Sequence, residues 1–272
     1  MSLVTISGGV GCGVEKIARL VAEAAKLDFY DDLRLQQEAV RMGIRSEDLK
    51  GLDEKVPGFF DVLRGRSPEL YLDVMESVIY EVSRSGRGVI VGHGSQFLLR
   101  DFGCAFHVLI HASDPYRAKQ IMDQQKVSSK AAEKMMNKTD HERRGFMRFA
   151  FHMDWNDPSL YDLVINTEKF GAEGAANLIL DALKAQAIQE CSLNALESME
   201  RMSLIKKVEA ALLKEQFGLT QFHVEVPEKG TVQIYGYTST ADIKKRMLEV
   251  AKKVAGVTKI VDEVSVLPAG GY

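Results

Sequence analysis

A glycine-rich segment near the start of the chain carries the clearest chemical signal. Residues 3–6 are apolar and β-branched, residues 7–13 read SGGVGCG, and apolar residues recur at helical spacing from Ile17 onward. Glycines let the backbone curl tightly, so that its amides can face an anion at the N-terminus of the next helix. The segment favours phosphate binding. The alternative is a tight strand-to-helix turn without a ligand.

The residues after these glycines depart from the strict phosphate-binding pattern G-x-x-x-x-G-K-[ST]. Gly8 and Gly13 have the required spacing, but Val14 and Glu15 stand where the lysine and the hydroxyl residue belong. Lys16 comes one residue later, and we expect it to point away because neighbouring helix positions face about 100° apart. The carboxylate of Glu15 would repel a phosphate unless Mg²⁺ intervened.

Composition excludes several classes of protein. The 272 residues are 46% hydrophobic and 27% charged, and no apolar run approaches the roughly 18 residues of a membrane span. The N-terminus lacks the basic and apolar regions of a secretory signal. Three scattered cysteines predict neither a disulfide scaffold nor a metal cluster, so we expect a reducing cytoplasm. The net charge is –3, with +3 on residues 201–272 and –6 on the rest, which does not indicate a nucleic-acid binder.

The pattern of elements predicts two units. Apolar strands separated by helical stretches indicate an α/β unit with a parallel sheet covered by helices on both faces; the strands are expected at 3–6, 88–91, 105–110 and 163–165, with helices at 31–42 and 69–84. A long helical pattern over 171–200, with a break near Cys191, leads to a different order. That order is α-β-β-α-β, typical of a small α+β domain, with its last helix at 241–254. We place the boundary near 190–200, giving units 1–190 and 200–268.

Several short motifs, in this order and spacing, resemble those of a known family. They are residues 5–18, Phe29-Tyr-Asp31, Val89-Ile-Val-Gly-His-Gly94, Asp114-Pro-Tyr-Arg117, 128–148, Trp155-Asn-Asp157, Tyr161-Asp162 and Asn166-Thr167. Together they resemble cytidylate kinase-like proteins, a branch of the P-loop nucleoside monophosphate kinases, over about residues 1–185. Residues 202–267 resemble a BON domain through Gly230–Gly236, Ala241, 254–257 and Ile260-Val261. Such domains are thought to bind lipid surfaces or other proteins.

The first resemblance implies a distribution of roles among the residues. The donor phosphates of ATP, with Mg²⁺, would lie on the segment formed by Gly9, Val10, Gly11, Cys12, Gly13 and Lys16. Arginines of a lid would close over the transferring group, and the candidates are Arg117, Arg143, Arg144 and Arg148. The acceptor pocket would involve Asp31, Arg34 and His93. His93 replaces an arginine of the family pattern, and Gln120 replaces a second lid arginine. No residue is expected to bind a metal by itself.

Each of these residues also has a purely structural interpretation. The lid arginines could be solvated charges on helix faces, and Asp140 or Glu142 could simply pair with Arg143 at the surface. Asp31 could be the N-cap of the next helix. His93 lies at the end of a strand, where α/β folds bind their ligands, but it could equally be a capping or core-edge histidine. Trp155 is expected to be a packing residue.

Three functions are consistent with the sequence. The first is ATP-dependent phosphoryl transfer to a nucleoside monophosphate, with CMP or dCMP as the first guess. The alternative is a weak or inactive nucleotide-sensing protein that signals through the BON-like domain. The third is a kinase for another small phosphoryl acceptor. The BON-like domain could contact a protein or an anionic surface, and the helix over 171–200 could dock either domain or a second subunit.

Overall fold

The computed structural model describes residues 2–42, 44, 68–103, 105–189, 193–217 and 221–267. In these ranges the chain forms two sheets, one of five strands and one of three. The sequence also predicts a polar segment from the end of the helix at 31–42 to Lys55. Residues 45–55 of this segment, and Cys191 at the expected helix break, lie outside the described residues.

The larger sheet is fully parallel and has the strand order β2-β3-β1-β4-β5. Its strands are β1 (Ser2–Gly8), β2 (Phe29–Tyr30), β3 (Arg87–Val91), β4 (Ala105–His111) and β5 (Leu163–Asn166). The side chains of β1 alternate between two cores. Leu3 packs into one core, and Val4 and Ile6 pack into the other. The α/β unit with a helix-covered parallel sheet is therefore confirmed.

Helices cover both faces of this sheet. The helices of this unit are α1 (Val14–Ala25), α2 (Asp32–Arg41), α3 (Pro68–Ser83), α4 (Ser95–Leu98), α5 (Asp114–Gln125), α6 (Ser129–Phe151), α7 (Thr167–Ala182) and α8 (Gln186–Gln189), with a 3₁₀ turn at Pro158–Leu160. The buried residues of α5 and of the first half of α6 pack on each other in a cluster of their own. The strand order reverses at β1, which lies between β3 and β4. In open α/β sheets a ligand binds in the crevice beyond the carboxyl ends of the strands at such a reversal. The glycine segment at 8–13 lies there.

The smaller sheet belongs to a C-terminal α+β domain, as expected. Helix α9 (Leu193–Lys214) precedes β6 (Phe222–Glu228), β7 (Thr231–Thr238), α10 (Ala241–Lys252) and β8 (Lys259–Val266). Strands β6 and β7 form an antiparallel hairpin, and β8 adds to β7 in parallel. Along β6, residues alternate between buried and exposed up to Val226, because one face of the sheet packs on α9 and α10.

Helix α9 contributes side chains to two hydrophobic cores. Met199 belongs to the core beneath the large sheet, whereas Val208 and Leu212 belong to the core of the small domain. The helix also forms ion pairs with α3, among them Lys207 Nζ to Glu81 Oε2 at 2.7 Å. The interval 190–200, in which we expect the domain boundary, therefore includes the start of a helix that serves both units.

No helix in the described ranges is long and apolar enough to cross a bilayer.

Candidate functional site

The glycine segment forms a tight loop between β1 and α1. The amide of Cys12 donates to the carbonyl of Gly9 at 3.1 Å, and Gly11 and Gly13 have φ of +85° and +82°. Gly13 is the N-cap of α1, and it has no side chain that could cap the first amides of this helix. A helix N-terminus attracts anions.

Arg117 on α5 reaches into this loop. Its Nε donates to the carbonyl of Val10 at 2.8 Å, and a Cβ on Gly9 would lie only 2.4 Å from its Nη2. A side chain at position 9 would therefore require the guanidinium to move from this place. Arg117 is 7% exposed. Its charge is matched by Asp140 on α6, whose Oδ1 accepts from Nη2 at 2.8 Å, and by Asp114, whose Oδ1 lies 3.3 Å from Nη1.

Electrostatics keep Arg117 charged at this buried position. Burial alone would lower the pKa of the guanidinium, but the hydrogen bond and the negative charge of Asp140 outweigh burial and raise it. The loop is therefore in contact with a permanent positive charge.

Arg143 on α6 approaches the same loop from another direction. Its Nη1 donates to the carbonyl of Gly8 at 2.7 Å, and its guanidinium carbon lies 4.9 Å from the centre of the Trp155 ring. Arg143 and Trp155 are both buried. The hydroxyl of Tyr161 donates to the carbonyl of Trp155 at 2.6 Å and so fixes the platform on which the arginine lies. Trp155 is thus a packing residue, but it packs on a candidate site residue.

The other two lid candidates lie away from the loop. Arg144 Nε and Arg148 Nη2 lie 3.6 and 3.3 Å from Asp154 Oδ2, and both arginine side chains are substantially exposed. Of the four arginines, the structure therefore brings Arg117 and Arg143 together at the loop.

The loop has no lysine side chain directed into it, because position 14 is a valine and Lys16 points elsewhere. The Nζ of Lys16 pairs with Glu173 on α7 at 2.7 Å, with 63% of the lysine side chain exposed, so it points away from the loop as expected. The side chain of Val14 turns towards Gly8, where its Cγ2 would lie 2.7 Å from a Cβ.

Cys12 is enclosed within the loop. Its carbonyl accepts from Thr167 Oγ1 at 3.1 Å, which ties the loop to the start of α7. The thiol is buried, and this burial raises its pKa. The thiol is therefore protonated at neutral pH, and the Cys12 backbone, with Thr167, has a positioning role in the loop.

The acceptor-pocket candidates lie near the start of α2. Asp31 is the N-cap of this helix, because its Oδ1 accepts from the Arg34 amide at 2.9 Å; its Oδ2 also lies 3.3 Å from Arg19. Arg34 pairs with Glu38 along the helix at 2.9 Å. The capping interpretation of Asp31 is therefore confirmed.

His93 follows β3 and is buried. Its Nε2 lies 2.5 Å from Oδ1 of Asp32, which is also buried, and its backbone has φ of +54°. A left-handed backbone at a non-glycine residue is uncommon and persists only where its surroundings hold it. The bond to Asp32 connects the end of β3 to the first turn of α2.

The site includes two residues to which the sequence assigns no role in it. Asp140 was considered only as one alternative surface partner of Arg143, whereas in the structure it pairs with Arg117. Gln96 accepts from Ser7 Oγ at 3.1 Å at the end of β1 and lies 3.4 Å from the Tyr161 hydroxyl. Asp140 could have been noticed because it precedes Arg143 by three residues, which places both on neighbouring faces of one helix.

The loop suits an anion better than a bare cation. The start of α1 and the guanidinium groups of Arg117 and Arg143 are hydrogen-bond donors, and the described residues contain no group of three or more His, Cys, Asp and Glu side chains arranged to hold a metal ion. A cavity of about 450 Å³ lies elsewhere, between α3, α9 and the β6–β7 turn. Its charged residues pair with one another, as Arg84 and Lys229 do with Glu200, so we do not take it as the candidate site.

A glycine loop between the central strand and the first helix of a parallel sheet defines the architecture of the P-loop kinases. Comparison with known proteins gives the family. The model of the cytidylate kinase-like family matches residues 3–169, more than half of the chain, and the BON domain model matches residues 203–268. The chain belongs to the cytidylate kinase-like family and carries a C-terminal BON domain.

Individual relatives agree with this assignment. A cytidylate kinase of Pyrobaculum islandicum is 27% identical over 182 residues, which cover 66% of this chain and 92% of the relative. A cytidylate kinase of Staphylothermus marinus is 26% identical over 188 residues, covering 68% and 97%. A crystal structure of an uncharacterized protein from Eubacterium ventriosum superposes with a TM-score of 0.54 at 23% identity and covers 67% of this chain and 98% of its own. That likeness concerns the fold.

Proposed function

We propose that this protein transfers the terminal phosphoryl group of ATP to a nucleoside monophosphate, with CMP or dCMP as the first candidates. The observation that carries the proposal is the convergence of Arg117 and Arg143 on carbonyls of the loop at 8–13. Phosphoryl transfer requires that the phosphates are held in position and that positive charge lies near them, more than it requires covalent chemistry. The loop backbone would hold the phosphates, and the two arginines would supply the positive charge.

The donor side of the proposed site consists of the loop and its arginines. The amides of Gly9 to Gly13 and the start of α1 would hold the donor phosphates, and the guanidinium groups of Arg117 and Arg143 would face the charge that spreads over the transferring group. When bound, Mg²⁺ would neutralise phosphate oxygens, and it would enter with the nucleotide, since Mg²⁺ is commonly held through substrate phosphates. The relatives from Pyrobaculum islandicum and Staphylothermus marinus are cytidylate kinases, which supports a cytidine nucleotide as acceptor.

The acceptor side is proposed to lie around α2 and the end of β3. Asp31, Arg34 and His93 remain its candidate residues. His93 has the strongest support, because it is fixed by Asp32 beside the carboxyl ends of β3 and β1. Asp31 and Arg34 already serve the helix as cap and ion pair, so they are the weaker candidates.

The test is turnover by the purified full-length chain. The protein is incubated with ATP, Mg²⁺ and each nucleoside monophosphate in turn, and the diphosphate product is separated by chromatography. Turnover with CMP or dCMP is the expected result. Turnover with a different acceptor would move the proposal to another substrate, and no product from demonstrably folded protein would contradict it.

Variants on α6 sharpen this test. Arg143→Met should lower turnover by roughly 10³-fold or more, by analogy with the loss of a transition-state arginine. Arg144→Met and Arg148→Met should have smaller effects, because Asp154 holds both side chains away from the loop. Lys138→Met removes an exposed charge from the same helix and should leave turnover unchanged. Equal losses in Arg143→Met and Lys138→Met would sink the assignment of Arg143.

A second function, nucleotide sensing without fast turnover, is favoured by one observation. Val14 occupies the lysine position, and Lys16 is held at Glu173 on the surface. The sensing protein would bind ATP, and its state would reach the BON domain through α9. Tight ATP binding without product for any acceptor would select this function over the kinase.

We also propose a compartment and partners for the protein. The scattered cysteines favour the cytoplasm, and the BON domain is proposed to contact a protein or an anionic surface. A shift in sedimentation of the purified chain with vesicles of anionic lipid would support the surface. No shift would favour a protein partner, and sedimentation of the chain alone would give its oligomeric state.

A further inference from the structure

The loop at 8–13 contacts a positively charged side chain, Arg117, that comes from another part of the chain. Between Gly8 and Lys16 the only basic residue is Lys16, and its Nζ is engaged with Glu173 on another helix. Position 14, where a P-loop carries its lysine, is a valine packed towards Gly8. A phosphate on this loop would therefore meet backbone amides but no lysine.

Arg117 occupies the space that this arrangement leaves. The guanidinium of Arg117 lies against Gly9. The backbone of Arg117 lies against Gly11, since a Cβ on Gly11 would be 2.6 Å from the carbonyl oxygen of Arg117. The loop and the arginine thus fit each other through glycines at two positions. Arg117, although it lies outside the loop in sequence, is in close contact with three of its residues, Gly9, Val10 and Gly11.

Two carboxylates flank this arginine unequally. Asp140 is 22% exposed and accepts a 2.8 Å bond, whereas Asp114 is 71% exposed and lies at 3.3 Å. Exposed ion pairs contribute little, while a short charge-assisted bond at a shielded site is strong and directional. Asp140 is therefore the residue that fixes where the guanidinium lies.

We propose that Arg117 takes the electrostatic place of the missing loop lysine, and that Asp140 is the positioning residue that holds it there. The proposal rests on the proposed function, since it assumes that the loop binds the phosphates of ATP. Among the described residues, three of the five N–H donors of Arg117 are committed to Val10, Asp114 and Asp140. The other two N–H groups of the guanidinium are the ones that would donate to a phosphate oxygen.

A rescue experiment tests the first part of the proposal. Binding of Mg²⁺–ATP is measured by calorimetry for the natural protein, Arg117→Met, Val14→Lys and the double variant. Arg117→Met should weaken ATP binding by about 10- to 100-fold, the usual worth of a hydrogen bond to a charged group. Val14→Lys should restore most of this loss in the Arg117→Met background, because it returns a cation to the loop itself.

Controls separate charge from packing and from folding. Val14→Met gives position 14 a long side chain without charge and should not rescue Arg117→Met. Lys119→Met removes an exposed charge from the same helix and should bind ATP like the natural protein. Thermal unfolding of every variant establishes that the compared proteins are folded. Rescue by Val14→Met as complete as that by Val14→Lys would overturn the electrostatic interpretation.

A double-mutant cycle tests Asp140. Asp140→Ala should weaken ATP binding severalfold in the natural background and have little effect once residue 117 is methionine, because it acts through Arg117. Asp140→Asn keeps an acceptor for Nη2 and should recover part of the loss. Equal effects of Asp140→Ala in both backgrounds would show a general structural role and overturn the assignment.

The outcomes also separate this inference from the function on which it rests. A natural protein that binds no ATP contradicts both. A natural protein that binds ATP equally well with and without the Arg117 guanidinium contradicts only the inference.

Discussion

Lys206 Nζ lies 3.1 Å from Asp73 Oδ1, which joins α9 to α3 by a largely buried ion pair. The same ammonium lies 2.9 Å from Glu76 and 3.0 Å from Glu209. One cation therefore serves three carboxylates, and it cannot compensate all of them. Burial raises the pKa of Asp73 to about 6, with the charges of Glu209 and Glu76 adding to burial and Lys206 opposing it.

This cluster predicts a pH dependence of stability. The unfolded Asp73 has a pKa of 3.8, so between about pH 4 and 6 the folded protein binds more protons at this site than the unfolded chain. The contribution of Asp73 to the free energy of unfolding must then fall as pH rises through this window, by up to about 3 kcal/mol. Urea unfolding of the natural protein and of Asp73→Asn at several pH values measures it. The stability of the natural protein relative to Asp73→Asn should decline towards pH 6, and a constant difference would contradict the prediction.

Replacement of either of two lysines that pair with α3 or α9 should change the stability of the protein by different amounts. Lys207 is 17% exposed and pairs with Glu81, whereas Lys229 is 79% exposed and pairs with Glu200 on α9. Lys207→Met should cost about 1–3 kcal/mol, because Glu81 loses a shielded charge-assisted bond. Lys229→Met should change stability by less than about 0.5 kcal/mol. Urea midpoints at constant slope report both values, and a larger effect at Lys229 would refute this ordering.

The thiol of Cys12 should react slowly with alkylating reagents in the folded protein. Its side chain is buried in the loop, and burial raises its pKa, so little thiolate exists at neutral pH. Alkylation with iodoacetamide, followed at the peptide that contains Cys12 by mass spectrometry, should be at least about tenfold slower than in urea. Saturating Mg²⁺–ATP should slow it further if the loop holds the nucleotide. Equal rates in native and unfolded protein would show that the loop opens readily.

Two glycine-to-alanine substitutions should differ in their effects: one should raise the stability of the protein, and the other should weaken its ATP binding. Gly145 lies within α6, and a Cβ there would meet no atom within 4 Å, so Gly145→Ala should stabilise the protein by about 0.5–1 kcal/mol. Gly9→Ala would place its Cβ 2.4 Å from Arg117 Nη2 and should displace the guanidinium, which weakens ATP binding. Thermal unfolding and calorimetry give the two values. Normal ATP binding by Gly9→Ala would show that the close approach of Arg117 is dispensable.

Periodicity was sufficient to predict most of the fold. Strands β3 and β4 are largely apolar and buried, as a sheet covered on both faces requires, and the hairpin at 228–230 has a clear turn sequence. The edge strand β5 is apolar in sequence too, but its Val164 is 46% exposed. The two-residue strand β2 at Phe29–Tyr30 was not predicted as a strand, because it is too short for periodicity to show.

The partners in the candidate site were less accessible to sequence reasoning. That Lys16 points away follows from helix geometry alone, and the structure agrees. The partner of Asp140 does not follow, because Lys138 and Arg143 are its basic neighbours in sequence, while Arg117 comes close only through the packing of α5 on α6. Spacing within one helix specifies a face. It does not specify which residue of another helix that face meets.

The double use of α9 limits how the chain can be divided. A cut near 190–200 would leave the first unit without Met199 in its core and would uncover the α3-facing side of the helix in the second unit. A cut after Lys214 would instead strip the small sheet of Val208 and Leu212. The two units are therefore not independent modules, because each needs side chains of α9 for its core. Either piece expressed alone needs a redesigned surface where α9 was shared, and recombination between such modules during evolution would have had to carry this helix along.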